Sequence, residues 1–187
     1  TNQEAASGLK SALSQGAEYA VTHLGRPDGF LGNPKVKIGL PDNLKKGEKL
    51  LKTLGMSKYT DELTVAMNRA AEQAVAEAKP ILADAVKKMT VQDAKAILTG
   101  GDDSVTQFFR RSASSQLTQK FKPIVHRATS KVKLAEKYNQ FAGKASGLIG
   151  SQDTDLDSYV TRKAMDGLFL MIAEQEKLAE PGPGYVN

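Results

Sequence analysis

The chain contains no cysteine, which removes disulfides, thiolate nucleophiles and every zinc site built on sulfur ligands. Tryptophan is also absent, and five Tyr and six Phe give an aromatic content of only 6%. Platforms on which bases or sugar rings stack therefore have little material. No stretch is long and apolar enough to cross a membrane as a helix, and no charged, then apolar, then small-residue succession marks a signal peptide. The patterns G-x-S-x-G, G-x-G-x-x-G and G-x-x-x-x-G-K-[ST] are missing, so serine hydrolase, dinucleotide and P-loop readings lose their usual sequence support.

What is present fits a folded body. The 187 residues match one domain, with no room for a separate catalytic module. Hydrophobic residues at 40% and charged residues at 25% sit near the globular norm. Lys and Arg number 26 against 21 Asp and Glu, a net charge of +5 that permits an acidic partner without requiring one. The chain begins at Thr1, which fits both a processed mature protein and a trimmed chain.

The periodicity is helical almost throughout. Over residues 3–24, Ala6, Leu9, Leu13, Ala17, Ala20, Val21 and Leu24 recur at three and four, an amphipathic stripe stopped by Gly25 and Pro27. Residues 25–41 hold four Gly and three Pro, yet also Phe30, Leu31, Val36, Ile38 and Leu40. That mixture predicts an extended arm laid across helices, with Phe30 and Ile38 as anchors and room for a short strand pair. Asp42 or Asn43 is expected to cap a short helix to Leu54, with Leu44, Leu50, Leu51 and Leu54 inward and Gly55 as its stop. An Ala-rich stripe runs from Ser57 through Leu63, Met67, Ala70, Ala71, Ala74, Val75 and Ala78, and Pro80 kinks or divides it before the face resumes to Met89.

Thr90 with Asp93 reads as a capping box for a helix ended by Gly100. Asp102, Asp103 or Ser104 caps the next, which Pro123 is expected to break or kink, with further helices at about 123–132 and 134–144. A Gly- and Ser-rich gap at 143–151 precedes a last helix through Leu156, Val160, Ala164, Leu168 and Ile172, and 181–187 reads as a flexible tail. The expectation is a single all-α domain of seven or eight helices with an extended arm near 25–41.

Chemistry is sparse. Asp153, Asp155 and Asp157 have the spacing that opens a calcium loop, but its sixth position is Ser158 rather than Gly and its twelfth is Ala164 rather than Glu. Caps at a helix start are the expected role, and no metal site is assigned. His23 and His126 belong to no metal-binding pair, so no metal or other cofactor is expected. The informative residues are charges set in apolar helical surroundings: Arg69, Glu72, Arg110, Arg111, Lys163 and Asp166. They read as a partly buried ionic cluster in which Glu72 and Asp166 pair with Arg69, Arg110, Arg111 or Lys163, with Glu72 in reach of Arg110 or Arg111, or as a pocket in which the Arg pair grips an anion. Lys45, Lys46, Lys49 and Lys52, and a second stretch from Lys120 to Lys133, read as solvated basic faces. Nucleic acid is disfavoured as a partner, while a membrane surface can be met by basic faces or a removed anchor.

Several strings together resemble a known bacterial family. They are Gly29-Phe30 with Asn33-Pro34-Lys35-Val36-Lys37-Ile38, Met67-Asn68-Arg69-Ala70-Ala71-Glu72, and Ala96-Ile97-Leu98-Thr99-Gly100 with Asp102-Asp103. Phe109-Arg110-Arg111 and Leu156-Asp157-Ser158-Tyr159-Val160-Thr161 through Asp166-Gly167-Leu168-Phe169 complete the set. The chain resembles the family of domain of unknown function 4197 from about Gly8 to Glu176. The resemblance implies an exported protein of Gram-negative bacteria, with the periplasm as its compartment, and supplies no catalytic residues. The leading expectation is a non-enzymatic helical protein that binds a small ligand or protein partner in an interhelical groove. The alternative is an enzyme using Glu72 and Asp166 as acid and base beside Arg110 and Arg111.

Overall fold

In the computed structural model, which describes residues 1–55, 57–136 and 155–179, the first apolar stripe becomes helix α1, Asn2–Leu24. The Glu4 amide donates to the Thr1 hydroxyl and the Thr1 amino group donates to the Glu4 carboxylate, so a capping box closes the helix start. Every residue expected on its inner face, from Ala6 to Leu24, is buried. Seven further helices follow: α2 Asp42–Lys46, α3 Glu48–Thr53, α4 Ser57–Val75, α5 Lys79–Lys87, α6 Val91–Thr99, α7 Ser104–Thr129 and α8 Leu156–Ala179. Residues 133–136 are also helical. No strand occurs among the described residues, and the fold is all-α.

Local signals place most of these boundaries. Pro80 lies in the first turn of α5, where its missing N–H costs nothing, and so divides the long pattern rather than kinking it. Thr90 and Asp93 form the reciprocal capping box that starts α6. Pro123 does not break the helix, because α7 continues through it to Thr129. The proline removes one amide donor, but Phe121 before it and Val125 after it are both fully buried on the same face. That burial holds the helix across the lost bond. The continuation of the expected 134–144 helix past residue 136, the 143–151 gap and the 181–187 tail lie outside the described residues.

Helix α8 is central, packing against α1, α4 and α7, while α1 also meets α5 and α6 and α7 also meets α4, α5 and α6. Phe109 of α7 and Phe169 of α8 stack with ring centroids 5.9 Å apart. The small residues Ala70, Ala71 and Ala74 are fully buried on α4, which lets its neighbours approach closely.

Two expectations about the segment before α4 are corrected. Residues 25–41 form no strand pair; they run through turns and then extend over 37–41, with backbone partners supplied by side chains. The helix expected from residue 42 to 54 is divided at Gly47 into α2 and α3, its N-cap is Pro41, and neither piece buries a residue. Leu44 is partly buried against the core, but Leu50 and Leu54 are each 63% exposed rather than inward. Gly55 does stop the segment, with a φ of 75° that favours glycine.

Candidate functional site

An extended segment lying against helices has backbone N–H and C=O groups that no ladder satisfies, and buried groups of this kind need partners. On α4 these come from two polar residues one turn apart in the apolar stripe. Asn68 donates from Nδ2 to the Ile38 carbonyl at 2.9 Å and accepts the Ile38 amide on Oδ1 at 2.8 Å, as a neighbouring strand would. Its second Nδ2 hydrogen goes to the Thr64 carbonyl at 2.8 Å, which fixes the amide orientation. Glu72 accepts the amides of Phe30 and Leu31 on one carboxylate oxygen, at 3.1 and 3.0 Å. From α8, the Tyr159 hydroxyl donates to the Gly39 carbonyl at 2.7 Å. Phe30 and Ile38, the expected anchors, are 0% and 1% exposed. Gly167 of α8 leaves room for Phe30 and Val36, because a Cβ there would stand 3.0 Å from the Phe30 ring and 3.1 Å from Val36.

Arg69 joins the arm to the same helix. Its Nη1 lies 2.9 Å from the other Glu72 oxygen and 3.1 Å from Asp28, whose φ of 68° is the left-handed conformation that Asp tolerates better than most residues. The hydrogen bond to Glu72, opposed by partial desolvation and reinforced by the charges of Glu72 and Asp28, raises the Arg69 guanidinium above its ordinary pKa. Arg69 is thus a fixed cation clamped between two carboxylates. Beside it a groove of about 440 Å³ opens, lined by Gly25, Pro27, Arg69, Glu72, Gln73, Ala76 and Glu77.

The six charged residues read from the sequence are therefore not one cluster. Glu72 pairs with Arg69, three residues away, and neither Arg110 nor Arg111 reaches it. Arg110 instead meets Asp166 on α8 at 2.8 Å, and Arg162 approaches the second Asp166 oxygen at 3.7 Å. Arg111 is exposed and makes no ion pair among the described residues. Lys163 lies 5.9 Å from the centre of the Tyr159 ring, with Arg162 at 5.8 Å. The physical reason is helix phase: side chains three or four apart on α4 meet each other before they meet α7.

The sequence gives little sign of a third polar group. Asp157, near the start of α8, accepts from His126 Nδ1 at 2.6 Å and from the Thr129 hydroxyl at 2.8 Å, tying the end of α7 to α8. His126 is thus more than a solvated helix residue. Asp155 accepts the Ser158 amide at 2.7 Å, the cap expected of it, while Asp153 lies outside the described residues. No group of three or more His, Cys, Asp or Glu side chains is placed to hold a metal ion among the described residues.

An all-α body with an irregular arm clamped by the backbone-binding side chains of one helix is the class this geometry defines. The family model described as Protein of unknown function (DUF4197) matches residues 1–179, and the chain belongs to that family. No curated protein and no solved structure matches the chain.

Proposed function

We propose that this protein is a non-enzymatic binding protein of the periplasm, whose groove beside the arm receives a cationic group from a small ligand or a protein partner. The compartment rests on the resemblance to exported proteins. The observation that carries the binding reading is the state of the charges around the groove. Arg69 is neutralised by Asp28 and Glu72, so it offers no net attraction for an anion. Glu77 and Gln73 are exposed along the lining, and Glu77 has no ion-pair partner among the described residues. Pro27 and Ala76 give the same lining an apolar side, as ligand grooves require.

The enzymatic reading has weaker support. Three of the four lone-pair positions of the Glu72 carboxylate are taken, by two amides and a guanidinium, so its first role is that of a fixed acceptor for the arm. Among the described residues no hydrogen bond or ion pair joins Glu72 or Arg69 to Asp166 or Arg110, so the two carboxylates are held in separate pairs. Titrating isotope-labelled protein with a lysine-containing tripeptide, and with its glutamate counterpart, tests the binding reading by amide shifts. The expected result is shifts confined to residues 25–27 and 69–77 with the lysine peptide, lost in Glu77→Gln. Equal or scattered shifts with both peptides overturn it.

A further inference from the structure

The positive charge of this chain is concentrated. Residues 35–58 hold seven lysines and two acidic residues, so this segment carries the whole net charge of +5, and elsewhere 19 basic and 19 acidic residues balance. Lys45, Lys46 and Lys49 are exposed and make no ion pair among the described residues, whereas Lys52 approaches Glu48 at 3.9 Å. The same segment places Leu50 on α3 and Leu54 at its C-cap, one helical turn apart and each 63% exposed, and neither α2 nor α3 buries a residue. An isolated exposed leucine is ordinary, but two on one face beside unpaired lysines form an amphipathic surface.

We propose that α2 and α3 form a docking face for an anionic lipid surface. The leucines enter the boundary between headgroups and acyl chains, and the lysines extend along it to the phosphates. Charge complementarity selects an anionic surface, and the leucines select a bilayer over a solvated polyanion. Residues 42–58 contain no Arg and no aromatic side chain, the groups with which proteins hold nucleic acid by forked hydrogen bonds and stacking. This face shares no residue with the groove beside the arm, so either reading can fail without the other.

Sedimentation of the full chain with vesicles tests the proposal, using phosphatidylcholine alone and equal parts phosphatidylcholine and phosphatidylglycerol. The natural sequence is expected to partition onto the mixed vesicles and not onto the neutral ones. Replacing Lys45, Lys46 and Lys49 together by Ser should lower that partitioning about a hundredfold, since each lysine acts near the charged surface. Leu50→Ser with Leu54→Ser should lower it about tenfold at unchanged charge. Melting curves of both variants matching that of the natural protein exclude unfolding as the cause. Equal or absent binding to the two vesicle types overturns the proposal. So does a leucine variant that binds as well as the natural sequence, and a duplex DNA oligonucleotide held by both the natural and the leucine-variant protein would then assign the lysines to a soluble polyanion.

Discussion

Residues 25–41 and the helix pair that follows them are adjacent in sequence and opposite in the way they are held. The arm has no regular backbone pattern, yet its anchors are sealed in the core and its amides and carbonyls are gripped by Glu72, Asn68 and Tyr159. Helices α2 and α3 make their hydrogen bonds locally, as from the Lys45 amide to the Pro41 carbonyl and from the Leu51 amide to the Gly47 carbonyl, and they bury no residue. A helix can be regular and loosely attached because its hydrogen bonds are internal, whereas an irregular segment can enter a core only if other elements provide its partners. Regularity and fixity are thus separate properties, and in this protein they run in opposite directions over thirty residues or so.

The comparison breaks most sharply at Glu72. Glu72→Ala leaves two arm amides without an acceptor, at about 1 to 3 kcal/mol each, so it should cost about 3 to 5 kcal/mol in all, while the half-exposed Arg69 keeps Asp28. Urea unfolding followed by circular dichroism checks it. A loss below about 1 kcal/mol would mean that water replaces the carboxylate and that the arm does not depend on it. Glu72→Gln should recover part of the loss, because one amide oxygen still accepts while the Nε2 hydrogens face donors.

Next comes the apolar half of the same attachment. Ile38→Ala should cost about 2 to 4 kcal/mol, since the side chain is 1% exposed and its removal leaves a cavity against the helices. The same unfolding midpoint reports it, with an unchanged slope if the arm stays docked. Combining Ile38→Ala with Asn68→Ala should give less than the sum of the two losses, because both act on the docking of one residue. Strict additivity would show that the amide and the side chain act independently.

Much of this fold is legible in the residues, for reasons that can be named. The inner faces of α1 and α4 follow from spacing at three and four, and the Thr90 and Asp93 cap from local chemistry confined to one turn. Phe30 and Ile38 stand out as apolar side chains in a segment too rich in Gly and Pro for a helix. What spacing does not carry is which partner a buried charge takes. Glu72 is marked as unusual by its apolar neighbours, but its use as a backbone acceptor for residues 42 and 41 positions away depends on the tertiary path of the arm. The Asp157 network fails to show for the same reason, as His126 and Thr129 come from a different helix. The exposure of Leu50 is a third instance: a leucine pattern indicates a face that can be buried, not that another element lies there to cover it.

A smaller effect is expected where the arm touches α8. Gly167→Ala places a methyl group 3.0 Å from the Phe30 ring and 3.1 to 3.2 Å from Val36, so the arm must shift by a few tenths of an ångström. Overpacking of this kind costs about 1 to 3 kcal/mol, against which alanine's helix propensity returns about 1 kcal/mol. The net should be a loss of about 1 kcal/mol. A stabilised variant would show that the arm yields at this contact and that Gly167 is not needed for its seat.

The smallest effect belongs to the helix pair, and it sharpens the contrast from the other side. Leu50→Ser and Leu54→Ser remove side chains that are mostly in water already, so each should change stability by no more than about 0.5 kcal/mol. Limited trypsin digestion of the natural protein supplies the matching kinetic test, because both segments offer lysines. Lys45, Lys46, Lys49 and Lys52 lie on helices with no buried residue, whereas Lys35 and Lys37 flank the buried Val36 and precede the gripped Ile38. Cleavage requires local opening, and opening the arm must expose Ile38 and strip Asn68 and Glu72 of their partners. Of these two segments the helix pair should therefore be cut first, within residues 45–52, with the bonds after Lys35 and Lys37 surviving until the whole chain unfolds. Early cleavage at Lys37 would reverse the ranking and show that hydrogen bonds from side chains hold an irregular segment less firmly than a helix holds itself.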